Sequence, residues 1–179
     1  LFGLQKADSG TITVCGKNIF NRSVRNVRDA GVAMIPEDRY IWGSAREATI
    51  AETAVMGHYR SPQLSRNGVL YTKKIRGFAQ ELVDEFGVKT DNIQYKTGSL
   101  SGGNAQKLIA AREIRQNTPL LIACEPTRGV DIGAMEFIHD RIVEKRSAGD
   151  AVLLISSELT EIMKLSDRIY VMYDGRING

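Results

Sequence analysis

Leu100-Ser101-Gly102-Gly103-Asn104, followed by Gln106-Lys107, carries the strongest signal in this sequence. A serine and a glycine pair stand immediately before a helical run, Asn104 to Gln116, that contains Leu108, Ile109, Ala111, Arg112 and Ile114. Free N–H groups at such a helix start, with the positive end of the helix dipole, favour an anionic oxygen. Glycine lets the backbone approach that oxygen closely, and the serine hydroxyl adds a donor. Alone, Ser-Gly-Gly marks an ordinary turn. Here a strand-like run, Leu120 to Cys124, leads into Glu125-Pro126-Thr127, with Gly129-Val130-Asp131 just beyond. The combination is far more specific.

Outward from that segment, strands and helices alternate. Leu120 to Cys124 reads as a strand, Gly133 to Arg146 as a helix and Ala151 to Ser156 as a strand. A short helix, Glu158 to Lys164, precedes a last strand, Arg168 to Tyr173. Upstream, Thr11 to Cys15 is a short strand entering a turn, and Ser23 caps a helix through Ala30. Val32 to Ile35 is a buried strand stopped by Pro36. Apolar strands separated by helices predict an α/β fold with a mostly parallel sheet covered on both faces.

The middle, from about Trp42 to Gly98, has a helical character. Thr49 to Met56 is one helix, and Ser61-Pro62 and Asn67-Gly68 mark turns around a polar loop. Thr72 is placed to cap a longer helix with Ile75, Phe78, Ala79, Leu82, Val83 and Phe86 on one apolar face. This middle reads as an insertion into the sheet domain.

A chain of 179 residues buries one substantial core, or one core with an appended subdomain. Its net charge of +3, from 24 basic and 21 acidic residues, is too mild and dispersed to argue for nucleic acid. Cys15 and Cys124 lack metal-ligand spacing and fit a reducing intracellular compartment. His58 and His139 have no neighbouring carboxylate or cysteine constellation in sequence, which favours packing or surface roles over metal binding. No metal site is expected. No apolar run approaches the ~20 residues of a membrane helix, and no secretory signal is visible.

The motifs LSGGNAQK (Leu100 to Lys107), EPTRGVDIGA (Glu125 to Ala134), VAMIPEDR (Val32 to Arg39) and LLISSEL (Leu153 to Leu159) together resemble the ATP-binding subunit of ABC transporters. The similarity covers nearly the whole chain. It is greatest to the second, carboxy-terminal nucleotide-binding domain of the simple-sugar and nucleoside importers, whose ATPase subunit fuses two such domains. LSGGN looks like the signature, Leu120 to Glu125 like Walker B and Thr127 to Asp131 like the D-loop. The resemblance implies a P-loop NTPase with a RecA-like core interrupted by a helical subdomain. Residues 1–41 would be the first part of the core, 42–100 the helical subdomain, and 101–179 the signature helix with the rest of the core.

A P-loop needs Gly-x4-Gly-Lys-Ser/Thr between a strand and a helix. The nearest approach, Gly10 to Gly16-Lys17-Asn18, has one intervening residue too many and no hydroxyl at Asn18, so a hairpin is the better expectation. By resemblance the P-loop lies upstream of Leu1-Phe2-Gly3-Leu4, and the chain is expected to be a truncated piece that binds ATP weakly alone. Three positions depart from the family pattern. Cys124 stands where an aspartate holds Mg²⁺ through water, and a thiol is a poor ligand for that hard ion. Glu37 stands at the Q-loop glutamine, and Ser157 at the switch histidine.

The resemblance therefore implies a division of labour. Ser101, Gly102, Gly103 and Asn104 would bind ATP in trans, on the partner domain. Glu37, Cys124 and Ser157 would belong to a degenerate site, with Glu125 as its remaining catalytic carboxylate and Asp131 as the D-loop link. Expected cofactors are ATP and Mg²⁺ in the intact protein. Expected partners are the amino-terminal nucleotide-binding domain of the same subunit, the membrane permease and, indirectly, a solute-binding protein, with no nucleic acid. The expected location is the cytoplasmic face of the membrane. Tyr40 and Trp42 neighbour the family's permease-facing groove, although core packing is expected for each. Arg128 is expected to hydrogen-bond within or between domains. Leu108 to Ile114 and Gly133 to His139 lean toward the nucleoside branch. A regulatory pseudo-ATPase and a non-transport ABC ATPase of translation or DNA repair are the rival readings.

Overall fold

Residues 1–178 are described in the computed structural model; Gly179, the end of the expected third segment, lies outside them. In chain order the elements are β1 (Thr13–Val14), β2 (Lys17–Asn18), α1 (Val24–Asp29), β3 (Val32–Ile35) and a π-helical turn, Arg39–Gly43. Then come α2 (Ile50–Ala54), β4 (Ser65–Arg66), β5 (Val69–Leu70), α3 (Thr72–Glu85) and α4 (Gly102–Ile114). The chain continues through β6 (Leu120–Cys124), α5 (Ile132–Ser147), β7 (Ala151–Ile155), α6 (Leu159–Leu165), β8 (Met172–Tyr173) and β9 (Arg176–Ile177).

The central sheet is parallel, in the order β3-β6-β7. Val32 pairs with Leu120, and Leu120 in turn with Ala151. Alternation of side chains sends successive residues to opposite faces. Ala33, Ile35, Leu121 and Ala123 meet Ile109 of α4 with Ile138 and Ile142 of α5. Val32 and Ile122 meet Val27 of α1 and Phe2, Val14 and Ile19 from the amino-terminal segment. Both faces are covered, as the apolar strands require.

A separate apolar cluster joins Ile50, Ala51 and Ala54 of α2 to Ala79, Leu82, Val83 and Phe86 around α3, closed by Leu108 and Ala111 of α4. The signature helix α4 thus serves both cores, Ile109 and Ala110 toward the sheet and Leu108 and Ala111 toward the helices. A helix apolar on several faces is a buried one. Each fully buried Leu or Ile contributes about 1.5–3 kcal/mol, so α4 is anchored strongly, and its start is placed by packing along its length.

Local caps follow the sequence in most places. Ser23 accepts from the Asn26 amide, and Thr49 and Glu52 form a reciprocal capping box. The expected strand from Thr11 to Cys15 is the short β1, and it turns back on β2 through Cys15 and Gly16, both at positive φ. The hairpin expected there, in place of a P-loop, is what forms.

Several expectations need correction. Thr72 begins α3 but does not cap it, the N-cap being Tyr71 without a side-chain bond. The Asn67-Gly68 turn closes the hairpin β4–β5, since both residues take positive φ and such turns match strand twist. Arg168 to Tyr173 is not a strand of the central sheet. Met172–Tyr173 folds back on Arg176–Ile177 around Asp174-Gly175, again both at positive φ; the tight turn wins over sheet pairing. Tyr40 and Trp42 are exposed, at 38% and 65%, because the π-helical turn directs this segment away from the core. His139 is not isolated: the fold brings Glu161 to it.

Candidate functional site

Ser101 is the N-cap of α4, its Oγ accepting from the Asn104 amide at 3.4 Å and from Asn104 Nδ2 at 2.9 Å. Asn104 Oδ1 in turn accepts from the Lys89 amide at 2.8 Å, fixing the signature to the loop after α3. Ser101 itself is exposed, so the amino end of α4 faces outward. The 13-residue helix directs its dipole at that end.

Gly103 is buried, and a Cβ on it would lie 2.6 Å from Asp131 Oδ2 and 3.2 Å from the Ala134 Cβ. The glycine is demanded by close approach of the loop that follows Glu125. Asp131 is the N-cap of α5, Oδ1 accepting from the Ala134 amide at 2.9 Å. Deeper in α4, buried Gln106 donates from Nε2 to the Pro126 carbonyl oxygen at 2.8 Å. The signature and the Glu125–Asp131 loop are therefore one packed unit.

A cleft of about 670 Å³ beside that loop is lined by Glu37, Glu125, Thr127, Arg128, Ser157 and Glu161 among others. Glu125 sits at φ +45°, an unusual conformation for a residue with a Cβ. Its amide donates to the Ile155 carbonyl at 2.7 Å, and its Oε1 accepts from the Ser157 amide at 2.7 Å. Such left-handed backbone costs about 1–3 kcal/mol and is held where surrounding bonds over-determine it, as at functional sites. Glu37 pairs with Arg128 at 2.6 Å, both largely exposed. Thr127 Oγ1 donates to Glu161 Oε1 at 2.7 Å, and His139 Nε2 meets the same oxygen at 2.8 Å in a buried cluster.

Cys124 is half-buried at the end of β6. Burial, then the negative charges of Glu37 and Glu125, push its thiol above the ordinary range. It stays neutral at pH 7, so this position does not fit Mg²⁺, which selects charged or carbonyl oxygen. The amino end of α4 does fit a phosphate oxygen: it offers amide donors, a serine hydroxyl and no side chain at Gly102 or Gly103.

Sequence reasoning missed three positions. Arg39 donates from Nη1 to the Arg128 carbonyl at 2.6 Å and from Nη2 to the Gly129 carbonyl at 3.2 Å. Glu113 is buried between Arg112 and Arg28, and Glu161 supports Thr127. The one local signal was an adjacent Arg-Glu pair inside an apolar helix, at Arg112-Glu113.

A parallel three-stranded sheet, a helical insertion and a Ser-Gly-Gly helix start packed on the loop after the sheet's central strand define an ATP-binding cassette. The chain belongs to the ABC transporter family, which matches residues 1–128. It is 46% identical, over 99% of its length, to the nucleoside import ATP-binding protein NupA of Lactococcus lactis, covering 35% of that protein. It is 46% identical to the guanosine import ATP-binding protein NupO of Bacillus subtilis, over 98% of this chain and 34% of that one. The chain thus spans about a third of the length of these curated relatives. Among solved structures it resembles a dimeric ATP-binding cassette in a post-hydrolysis state with ADP and Pi. The TM-score is 0.79 at 18% identity, over 99% of this chain and 75% of that chain. A nucleotide-free cassette gives a TM-score of 0.77 at 20% identity, over 99% of this chain and 71% of that chain. Among the described residues no helix is long and apolar enough to cross a membrane.

Proposed function

We propose that this chain is the second nucleotide-binding domain of an importer's ATP-binding subunit, and that it works chiefly by lending its signature to ATP held by the partner domain. The observation that carries this is the exposed amino end of α4, with Ser101 outward and Gly103 pressed against Asp131. A phosphate brought there meets donors already fixed by two cores, and fixed donors stabilise developing charge without reorganising. Asp131, at the same interface, links the donated signature to the loop that starts at Glu125.

This domain's own hydrolytic site is the weaker one. Cys124 is a neutral thiol where an oxygen ligand is needed, Glu37 is engaged by Arg128, and Ser157 offers a short uncharged side chain. Glu125 remains the one residue of that site expected to be catalytic, with one oxygen bonded to the Ser157 amide. The subunit would sit on the cytoplasmic face of the membrane against a permease, with the exposed turn at Tyr40, Ile41 and Trp42 facing it. Nucleosides are the favoured cargo: identity is 46% to the nucleoside and guanosine import proteins, 42% to a glucose import protein of Haloferax volcanii and 36% to a ribose import protein of Streptomyces coelicolor.

The test is steady-state ATPase activity of the full-length subunit with its permease. Ser101→Arg fills the phosphate-facing end of α4 and lowers the rate at least about a hundredfold, the scale of losing a preorganised donor. Glu125→Gln lowers it much less. Hydrolysis that survives Ser101→Arg, or collapses equally in Glu125→Gln, would reverse the assignment.

A further inference from the structure

Arg39 stands at a junction that the donated signature alone does not explain. Its guanidinium donates to the carbonyl oxygens of Arg128 and Gly129. A Cβ on Gly102 would lie 3.2 Å from Nη2, and one on Gly129 would lie 3.3 Å from it. The side chain therefore lies between the first residue of the signature helix and the loop leading to Asp131, close enough that a Cβ at either glycine would crowd it. Its Nε is buried and has no hydrogen-bond partner among the described residues.

The backbone of Arg39 is equally constrained. Asp38 accepts from the amides of Tyr40 and Ile41 at 2.8 and 2.9 Å, and Ser44 Oγ donates to the Arg39 carbonyl at 2.8 Å. The next residues, Tyr40, Ile41 and Trp42, are exposed at 38%, 71% and 65%. Displacement of this stiff turn must carry the guanidinium with it. A cation beside a helix amino end is repelled by the dipole, so the two carbonyl oxygens are what hold it there. Arg128 returns the tie through its ion pair with Glu37, although an exposed pair adds little by itself.

We propose that Arg39 is a positioning residue that transmits the placement of the exposed turn Tyr40–Trp42 to both the signature and the Gly129–Asp131 loop. This rests on the reading that the signature serves ATP in trans and that the turn meets the permease. Contact at the turn would then set the geometry of the phosphate-facing donors through one side chain. Arg39 touches no reacting atom in this scheme; it acts through Gly102 and Gly129.

The experiment uses the full-length subunit assembled with its permease, with Arg39→Met, Arg39→Lys and Ser101→Arg in parallel. Arg39→Met keeps the aliphatic length without donors and lowers the permease-stimulated kcat about tenfold, with KM for ATP within about twofold, as misplacement of fixed groups does. Amide exchange at residues 127–131 accelerates about tenfold while exchange in α3 is unchanged. Arg39→Lys, which keeps the charge and one line of donation, recovers part of kcat. Wild-type kcat or unchanged exchange at 127–131 in Arg39→Met would overturn the proposal. So would faster exchange spread evenly through α3 with a rising KM, the mark of general destabilisation. Hydrolysis surviving Ser101→Arg would instead overturn the underlying assignment of the signature.

Discussion

Asp131 Oδ2 lies 2.6 Å from the point where a side chain on Gly103 would begin. The start of the signature helix and the cap of α5 therefore occupy one interface, and neither can change alone. Gly103→Ala must move the Asp131 carboxylate, weakening a cap of about 1 kcal/mol and adding overpacking of about 1–3 kcal/mol. Urea unfolding should show a lower midpoint for Gly103→Ala, and a smaller loss for Asp131→Ala, which removes only the cap. Equal midpoints for wild type and Gly103→Ala would contradict this packing.

Glu113 is fully buried and binds Arg28 at 3.0 Å and Arg112 at 2.8 Å, while its Oε2 also accepts from the Met34 amide and Gln116 Nε2. Arg112 continues to the carbonyls of Gly43 and Thr53. Removing one partner of a buried pair leaves the other charge uncompensated. Glu113→Ala should therefore cost about 3–5 kcal/mol in chemical denaturation. A loss below about 1 kcal/mol, the range of exposed pairs, would show that the network carries no such weight.

Cys124 supplies a pH test of the cleft. Its thiol is raised by burial first and then by Glu37 and Glu125. Alkylation, which needs the thiolate, should begin only at a pH above the usual thiol range. Glu37→Gln removes one of the negative charges, so the rate-versus-pH curve measured by mass spectrometry should move to lower pH. An unmoved curve would exclude Glu37 as a contributor.

His58 donates from Nε2 to the Arg112 carbonyl at 2.9 Å and packs on Phe78. Burial lowers its pKa, with the bond to the Arg112 carbonyl opposing. The unfolded chain then binds the proton more readily, so His58 contributes stability above its unfolded value of about 6.5. That contribution is lost as pH falls through the lower folded value. In thermal unfolding, the difference between wild type and His58→Gln should narrow with acidification over that window. A difference that stays constant would place His58 in an environment without such burial.

Much of this fold is written locally. Ser23, Thr49 and Asp131 announce helix starts because a cap bonds within three residues of itself. The parallel strands show as apolar runs because both faces are covered. Leu100 to Asn104 and Glu125 to Asp131 identify the family because each is contiguous. Thr72 begins α3 without capping it, and Met172–Tyr173 pairs with Arg176–Ile177 across the Asp174-Gly175 turn instead of joining the central sheet.

The sequence by itself thus determined the α/β class, the order of the longer helices and the central strands, and the motif at the start of α4, since these depend on neighbours along the chain. Tertiary structure alone decided the ties of Arg39 to Arg128 and Gly129, separated by 89 and 90 residues. It also decided the Glu113 hub, the meeting of His139 with Glu161 and the exposure of Trp42. Such contacts depend on how β3 lies beside β6 and how α4 spans both cores, and periodicity contains no term for distances closed through space.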